Sequence, residues 1–260
     1  MKRNGWILTA ALMTALGASM QAAGLETLHR SCAISASEHE GKFELRIMDA
    51  GCKDDEHCNN FSDDRVSRLA GITLGDLGRD GAQLTATMSA EAGKLVCAGT
   101  VHEGVLRGEA TFTPDAGFAA RMSGMGYSGL DSEKLETYTL FDIGTAWVES
   151  LKKAGIGGLN ADNFIALKIF KVDAAYVSDI KALGYETPDA DKLVGLKVQG
   201  VNAEEVKEIR ALGYKPTLDE LVQIRIFKIT PDFIKRMQSR GLHDLTIAKL
   251  VQIKIFKLDE

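Results

Sequence analysis

No excess of positive charge, no second long apolar run and no complete catalytic motif occurs in this sequence, and each absence narrows the classes of function without closing the enzyme class. Lys and Arg number 31 against 36 Asp and Glu, a formal net charge of −5, whereas a nucleic-acid binder carries a strongly basic patch or stripe. Nucleic acid is therefore not an expected partner. The acidity is uneven: residues 24–115 hold 9 basic and 16 acidic side chains, while residues 116–260 hold 20 of each. Beyond residue 23 no uncharged apolar stretch approaches the roughly 20 residues that a spanning helix needs, so no permanent membrane span is expected. Gly124, Gly126 and Gly129 satisfy G-x-G-x-x-G but fall at the end of an expected helix rather than between a strand and a helix, so they do not read as a nucleotide cradle. Ser150 and Ser178 precede Lys153 and Lys181 by three residues without companion motifs, and neither His39 nor His102 has a second histidine four residues on. No cofactor is expected.

What the sequence has is a period. Gly126, Gly155, Gly184, Gly213 and Gly241 are spaced by 29, 29, 29 and 28 residues. Leu135, Phe164, Leu193, Leu221 and Leu250 keep the same step, as do Ile143, Val172, Val201, Ile229 and Leu258. Fixed-period self-similarity signals a stacked array in which each unit buries its apolar face on its neighbours. About five units of 28–29 residues fit residues 118–260, the first of them atypical, as a unit meeting another domain would be.

The first 23 residues place Lys2 and Arg3 ahead of an apolar run from Trp6 to about Leu16 and then small residues, the pattern of a secretory signal peptide. Cleavage is expected between Ser19 and Gly24, and no cysteine at that junction suggests a lipid anchor. The expected location is periplasmic or secreted. Disulfides persist in such compartments. Cys32, Cys52, Cys58 and Cys97 allow three pairings, and the favoured one joins Cys52 to Cys58 across a short polar loop and Cys32 to Cys97 between an early and a late strand. Asp54, Asp55, Glu56 and His57 lie between Cys52 and Cys58 and are the best metal candidates. Their spacing matches neither a zinc knuckle nor a calcium loop. A solvated acidic loop closed by a disulfide is the plainer reading, with weak calcium or zinc binding as the alternative.

The expected fold class is α+β: a small antiparallel β domain over residues 24–117, a meander or sandwich, followed by an α-solenoid of two-helix repeats over residues 118–260. Strand formers between turn signals predict strands at Leu28–Ser35, Lys42–Met48, Gln83–Ser89, Leu95–Val101 and Leu106–Thr113, with residues 49–64 as a polar excursion loop. In the array, Thr230 before Pro231 and Gly241 after Met237 mark the start and end of a first helix. Asp173 takes the cap role one unit, and Asn202 with Glu205 forms a capping box in another. The second segment of each unit carries two readings. Thr217 with Glu220, the pair Thr187-Pro188, and Gly200 as a terminator favour a helix, yet IRIFKI (224–229) alternates like a strand. A β/α leucine-rich-like solenoid is therefore the alternative.

Basic columns run through the array, one of them Lys152, Lys181 and Arg210 on the first segments. Lys168, Lys197, Arg225 and Lys254 share one slot, and Lys171, Lys228 and Lys257 share another three residues on. Stacking would line each slot up as a column of like charge able to hold a polyanion or an acidic surface; the plainer reading is a solvated face. The segments VDAAYVSDIKALGY (172–185) and ITPDFIKRM (229–237), preceded by GKLVCAGTVHEGVLRGEATFTP (93–114), resemble arrays at the C-termini of some bacterial exported proteins and of some β-lactam-sensing membrane metallopeptidase regulators. The resemblance implies an extracytoplasmic accessory or sensing module; no protease portion is present to carry an activity over. The expected function is an exported, non-enzymatic module that binds another envelope or extracellular protein, or an anionic envelope polymer, through the array. The alternatives are a metal-dependent hydrolase with its site in the N-terminal domain or the inter-domain cleft, and a structural envelope component. A homodimer contact through the last repeat is a further expectation.

Overall fold

In the computed structural model the structure describes residues 24–50, 59–186 and 188–258. Strands β1 (Leu28–Ala36), β2 (Phe43–Asp49), β3 (Asn59–Val66), β4 (Gln83–Ala90), β5 (Gly93–His102) and β6 (Val105–Pro114) form one antiparallel sheet in the order β3-β2-β1-β6-β5-β4. Two three-stranded meanders are joined by the β1–β6 pairing, so the β region is one sheet and not a sandwich. The five expected strands are present within about two residues of their expected ends. The sixth, β3, falls where a loop was expected. It lies at a sheet edge, and NNFSDDRV has the charged character that edge strands carry against unwanted pairing.

The sheet is curled about β6. Cys32 on β1 pairs with Gly108 on β6, and Cys97 on β5 pairs with Ala110 on the other side of the same strand. Strands two apart in a flat sheet are about 9.6 Å from one another. The Cα atoms of Cys32 and Cys97 are 6.1 Å apart and their sulfurs are joined, as the sequence predicts. Gly99 and Gly108 face each other at the bend. A Cβ on either would stand 2.0 Å from a backbone oxygen of the opposite strand, so only glycine permits the approach.

Ten helices follow among the described residues, in five pairs: α1 (Ala116–Gly124) and α2 (Ser132–Phe141), α3 (Thr145–Lys153) and α4 (Asn163–Ile169), α5 (Ala174–Ala182) and α6 (Ala190–Val198), α7 (Ala203–Ala211) and α8 (Leu218–Ile226), α9 (Pro231–Ser239) and α10 (Ile247–Ile255). The second element of every unit is thus a helix. Asp115, Asp173, Asn202 and Thr230 each accept a hydrogen bond from the backbone N–H three residues on, the N-cap geometry that starts a helix. Gly144, in the same slot of α3, has no side chain to do this. Glu91, from the β4–β5 turn, substitutes by accepting from the Thr145 amide at 3.2 Å and the Thr145 hydroxyl at 2.8 Å.

Two caps differ from expectation. Glu205 does not return to the Asn202 amide; its carboxylate takes Arg225 Nη1 at 2.9 Å, so only half of that capping box forms. Thr187 lies outside the described residues, and α6 is capped by Asp189, beyond Pro188, because Pro188 and Ala190 pair their backbone with Gly157 of the preceding unit. The box at Thr217 and Glu220 is complete.

The core is continuous from sheet to array. Helix α2 packs on β4, β5 and β6, and α2, α4, α6, α8 and α10 each pack on the next. The repeat positions Leu135, Phe164, Leu193, Leu221 and Leu250 are all buried. Tyr138, fully buried on α2, stacks edge-on with Phe118 and donates its hydroxyl to the Ala161 carbonyl at 2.6 Å, tying unit one to unit two. No described helix is long and apolar enough to cross a membrane.

Candidate functional site

The structure separates the two basic columns that the sequence places side by side. Lys168, Lys197, Arg225 and Lys254 stand on the last turns of α4, α6, α8 and α10 and turn back onto the array. Lys168 Nζ donates to the Asp142 carbonyl at 2.7 Å and sits 4.9 Å from the centre of the Trp147 ring. Lys197 lies 4.0 Å from the Tyr176 ring centre and Lys254 4.1 Å from that of Phe233. Arg225 Nε donates to the Gln199 carbonyl at 3.0 Å, and its partner Glu205 occupies the slot of those aromatics. Burial draws the Lys168 pKa down, with Asp142 opposing the fall and Arg68 adding to it. Lys168 and Arg225 thus close the C-terminal end of the preceding unit, and Lys168, Lys197 and Lys254 rest on an aromatic ring of the first helix of their own, which gives the set a structural use.

Lys171, Lys228 and Lys257 are placed differently. They follow the C-caps of α4, α8 and α10, exposed, with φ of +55°, +53° and +50°. Asp142 and Gly200 hold the equivalent position after α2 and α6, with φ of +55° and +67°. This is the left-handed residue that ends a helix, and glycine is its usual occupant.

Sequence reasoning missed the column between these two sets. Ile169, Val198, Ile226 and Ile255 are spaced by 29, 28 and 29 residues and are 45–52% exposed, whereas their unit-one counterpart Leu140 is 9% exposed. Phe170 and Phe256 flank its two ends and are exposed as well. The signal was present in the recurring Ile-Phe-Lys at 169–171, 226–228 and 255–257. Its strand-like alternation arises because buried Ile224 and Ile253 are followed two residues later by exposed Ile226 and Ile255.

Unit one shows the same face covered. Phe61 of β3 meets Phe141 edge-on with ring centres 5.5 Å apart. Arg68 donates to the Thr139 and Leu140 carbonyls at 3.0 and 2.9 Å and lies 3.5 Å from the Asp142 carboxylate. Beside this contact opens a cleft of about 440 Å³ lined by Arg30, Asp49, Phe61, Glu133, Glu136 and Phe141, among others. Arg30 reaches three carboxylates there, Glu136 and Glu133 of α2 at 3.3 Å and Asp49 of β2 at 3.5 Å. Glu136 is buried, and its Oε1 has no hydrogen-bond partner among the described residues. Burial raises its pKa above the ordinary carboxylate value despite the opposing pull of Arg30. The group clamps sheet to array and leaves one proton-seeking carboxylate inside the junction.

Cys52, Cys58, Asp54, Asp55, Glu56 and His57 lie outside the described residues. Among the described residues no three His, Cys, Asp or Glu side chains are grouped to hold a metal ion. Compared with protein-family models, with curated proteins and with solved structures, the chain matches none of the three.

Proposed function

We propose that this chain is an exported, non-catalytic interaction module, a disulfide-braced β domain carrying a short α-solenoid whose face binds another envelope or extracellular protein. The observation that carries the reading is the apolar column Ile169, Val198, Ile226 and Ile255, about half exposed at a position that is buried in unit one. Contiguous apolar surface rimmed by charge marks an interaction site on a soluble protein. The solenoid reading is supported by the unbroken packing of α2, α4, α6, α8 and α10, which turns one repeat slot into a row. Export is supported by the charged and apolar N-terminal pattern and by the Cys32–Cys97 bridge, which an oxidising compartment preserves. The test is affinity capture from an envelope extract with the mature protein and with a folded Val198→Glu/Ile226→Glu variant. A partner held by the first and lost by the second supports the reading, and no partner on either overturns it.

A second reading, a hydrolase at the junction, draws on Glu136, because a buried acid with a raised pKa suits a general acid. Among the described residues no histidine or cysteine lines that cleft. Hydrolysis of generic ester or glycoside substrates that is abolished in Glu136→Gln would promote this reading above the first.

A further inference from the structure

We infer that the apolar column seats an extended polypeptide segment bearing an apolar side chain about every third residue and carboxylates between them. This rests on the interaction-module reading and adds the chemistry of the occupant. The first ground is the cover that unit one already wears. There the face is met by polypeptide, Phe61 on Phe141 and Arg68 on the last carbonyls of α2, and the cover is basic where the left-handed slot holds Asp142.

The second ground is the sign of that slot in the uncovered units. It reads Lys171, Gly200, Lys228 and Lys257, so three of the four units present an exposed lysine beside their column residue. An arginine-bearing cover like that of unit one meets like charge here, and a carboxylate-bearing one meets opposite charge. The same signs disfavour a second copy laid column against column.

The third ground is spacing. Packed helices lie about 8–10 Å apart, so α4, α6, α8 and α10 present one column residue per such step. A left-handed polyproline II segment rises about 3.1 Å per residue with three residues per turn, which puts one side chain on a given face every ~9.3 Å. A β-strand repeats on one face at about 6.8 Å and an α-helix at about 5.4 Å per turn. The polyproline II segment alone stays in step over four units.

The experiment uses the mature protein with methyl-labelled Ile and Val and three synthetic peptides of equal length, repeating Leu-Glu-Pro, Leu-Lys-Pro and Ser-Glu-Pro. Leu-Glu-Pro is expected to bind and to shift the methyl signals of Ile169, Val198, Ile226 and Ile255. Leu-Lys-Pro and Ser-Glu-Pro are expected to bind at least about tenfold more weakly. Ile226→Ser should weaken Leu-Glu-Pro binding about five- to tenfold; Gln252→Ser, an exposed neighbour on α10, should not. The inference is overturned if Leu-Glu-Pro does not bind, if Ser-Glu-Pro binds equally well, or if the shifts fall elsewhere. It is also overturned if vesicles of phosphatidylglycerol and phosphatidylethanolamine shift the column while the peptide does not, or if the column pairs with itself as a concentration-dependent dimer. Peptide failure alongside capture of a partner that Val198→Glu/Ile226→Glu releases would refute this occupant and leave the interaction module standing.

Discussion

Replacing Lys228 by glycine should stabilise the protein. An L-residue in the left-handed region sets its Cβ against a carbonyl oxygen at a cost of about 1–2 kcal/mol, and Lys228 stands there with φ of +53°. Glycine escapes that cost but enlarges the unfolded ensemble, which returns about 0.4–1 kcal/mol. The net gain is about 0.5–1 kcal/mol. Lys171 has the same geometry two units away, so the two changes should add to about 1–2 kcal/mol, or about 2–8 °C in a chain of this size. Urea unfolding followed by circular dichroism reads the midpoint, and the slope must be checked because a repeat array can open unit by unit. Lys228→Ala is the control, since it removes the same charge and stem without freeing φ. Gly200→Ala is the mirror experiment, expected to cost about 1 kcal/mol. Its new Cβ would lie 3.4 Å from Arg225 Nη2, the end of a flexible side chain, so the cost would be backbone strain and not a clash. A Lys228→Gly midpoint no higher than that of Lys228→Ala would refute the reasoning.

Other consequences are as direct. Cys32→Ser/Cys97→Ser opens a bridge spanning 65 residues and should cost about 4 kcal/mol by urea unfolding, with reductant doing the same to the unaltered protein; a loss under about 1 kcal/mol would contradict this. Lys168→Met leaves the Asp142 carbonyl without its donor and the Trp147 ring without its cation, for a loss of about 1–2 kcal/mol. Lys171→Met, at an exposed site, should stay within about 0.5 kcal/mol; equal losses at the two lysines would show that the columns do not differ. For Glu136 the folded pKa is raised by burial, so its contribution to stability is fully present below the unfolded value of about 4.3 and is lost as pH rises toward the folded value. Glu136→Gln should therefore gain on the unaltered protein in urea midpoint between pH 4 and pH 7, and a gap that moves the other way would refute the assignment.

Much of the fold was legible because it rests on local chemistry. The five glycines of the period end first helices with positive φ at Gly126, Gly155, Gly184, Gly213 and Gly241, and the step of 29 fixed the unit without any knowledge of packing. Cys32 and Cys97 could be paired because both lie in strand-forming runs. Strand β3 was hidden because an edge strand need not be apolar, and only its place beside β2 reveals it. The apolar column was hidden for the opposite reason. Ile226 and Ile224 are the same residue type two positions apart, and which of them is buried depends on the neighbouring helix. Arg30 stands about a hundred residues from Glu133 and Glu136, so no spacing rule could assemble their cleft.

The lysines that follow the helix ends raise a question that stability alone does not answer. If they served only solubility, the slot would be better filled by glycine, and Gly200 shows that the array accepts one there. Charge could then be carried by unstrained neighbours. Instead three units hold lysine in a conformation costing about 1–2 kcal/mol each. In unit one the slot is charged and strained as well, by Asp142, and there the charge lies 3.5 Å from the arginine of the segment that covers it. One occupied slot thus matches its cover in sign. Backbone strain persists where the strained residue has a task, and the task visible at Asp142 is pairing with what lies on the helix ends. The lysines keep that geometry with the sign reversed, so a carboxylate-bearing segment over Ile169, Val198, Ile226 and Ile255 gives their cost a use that solubility does not.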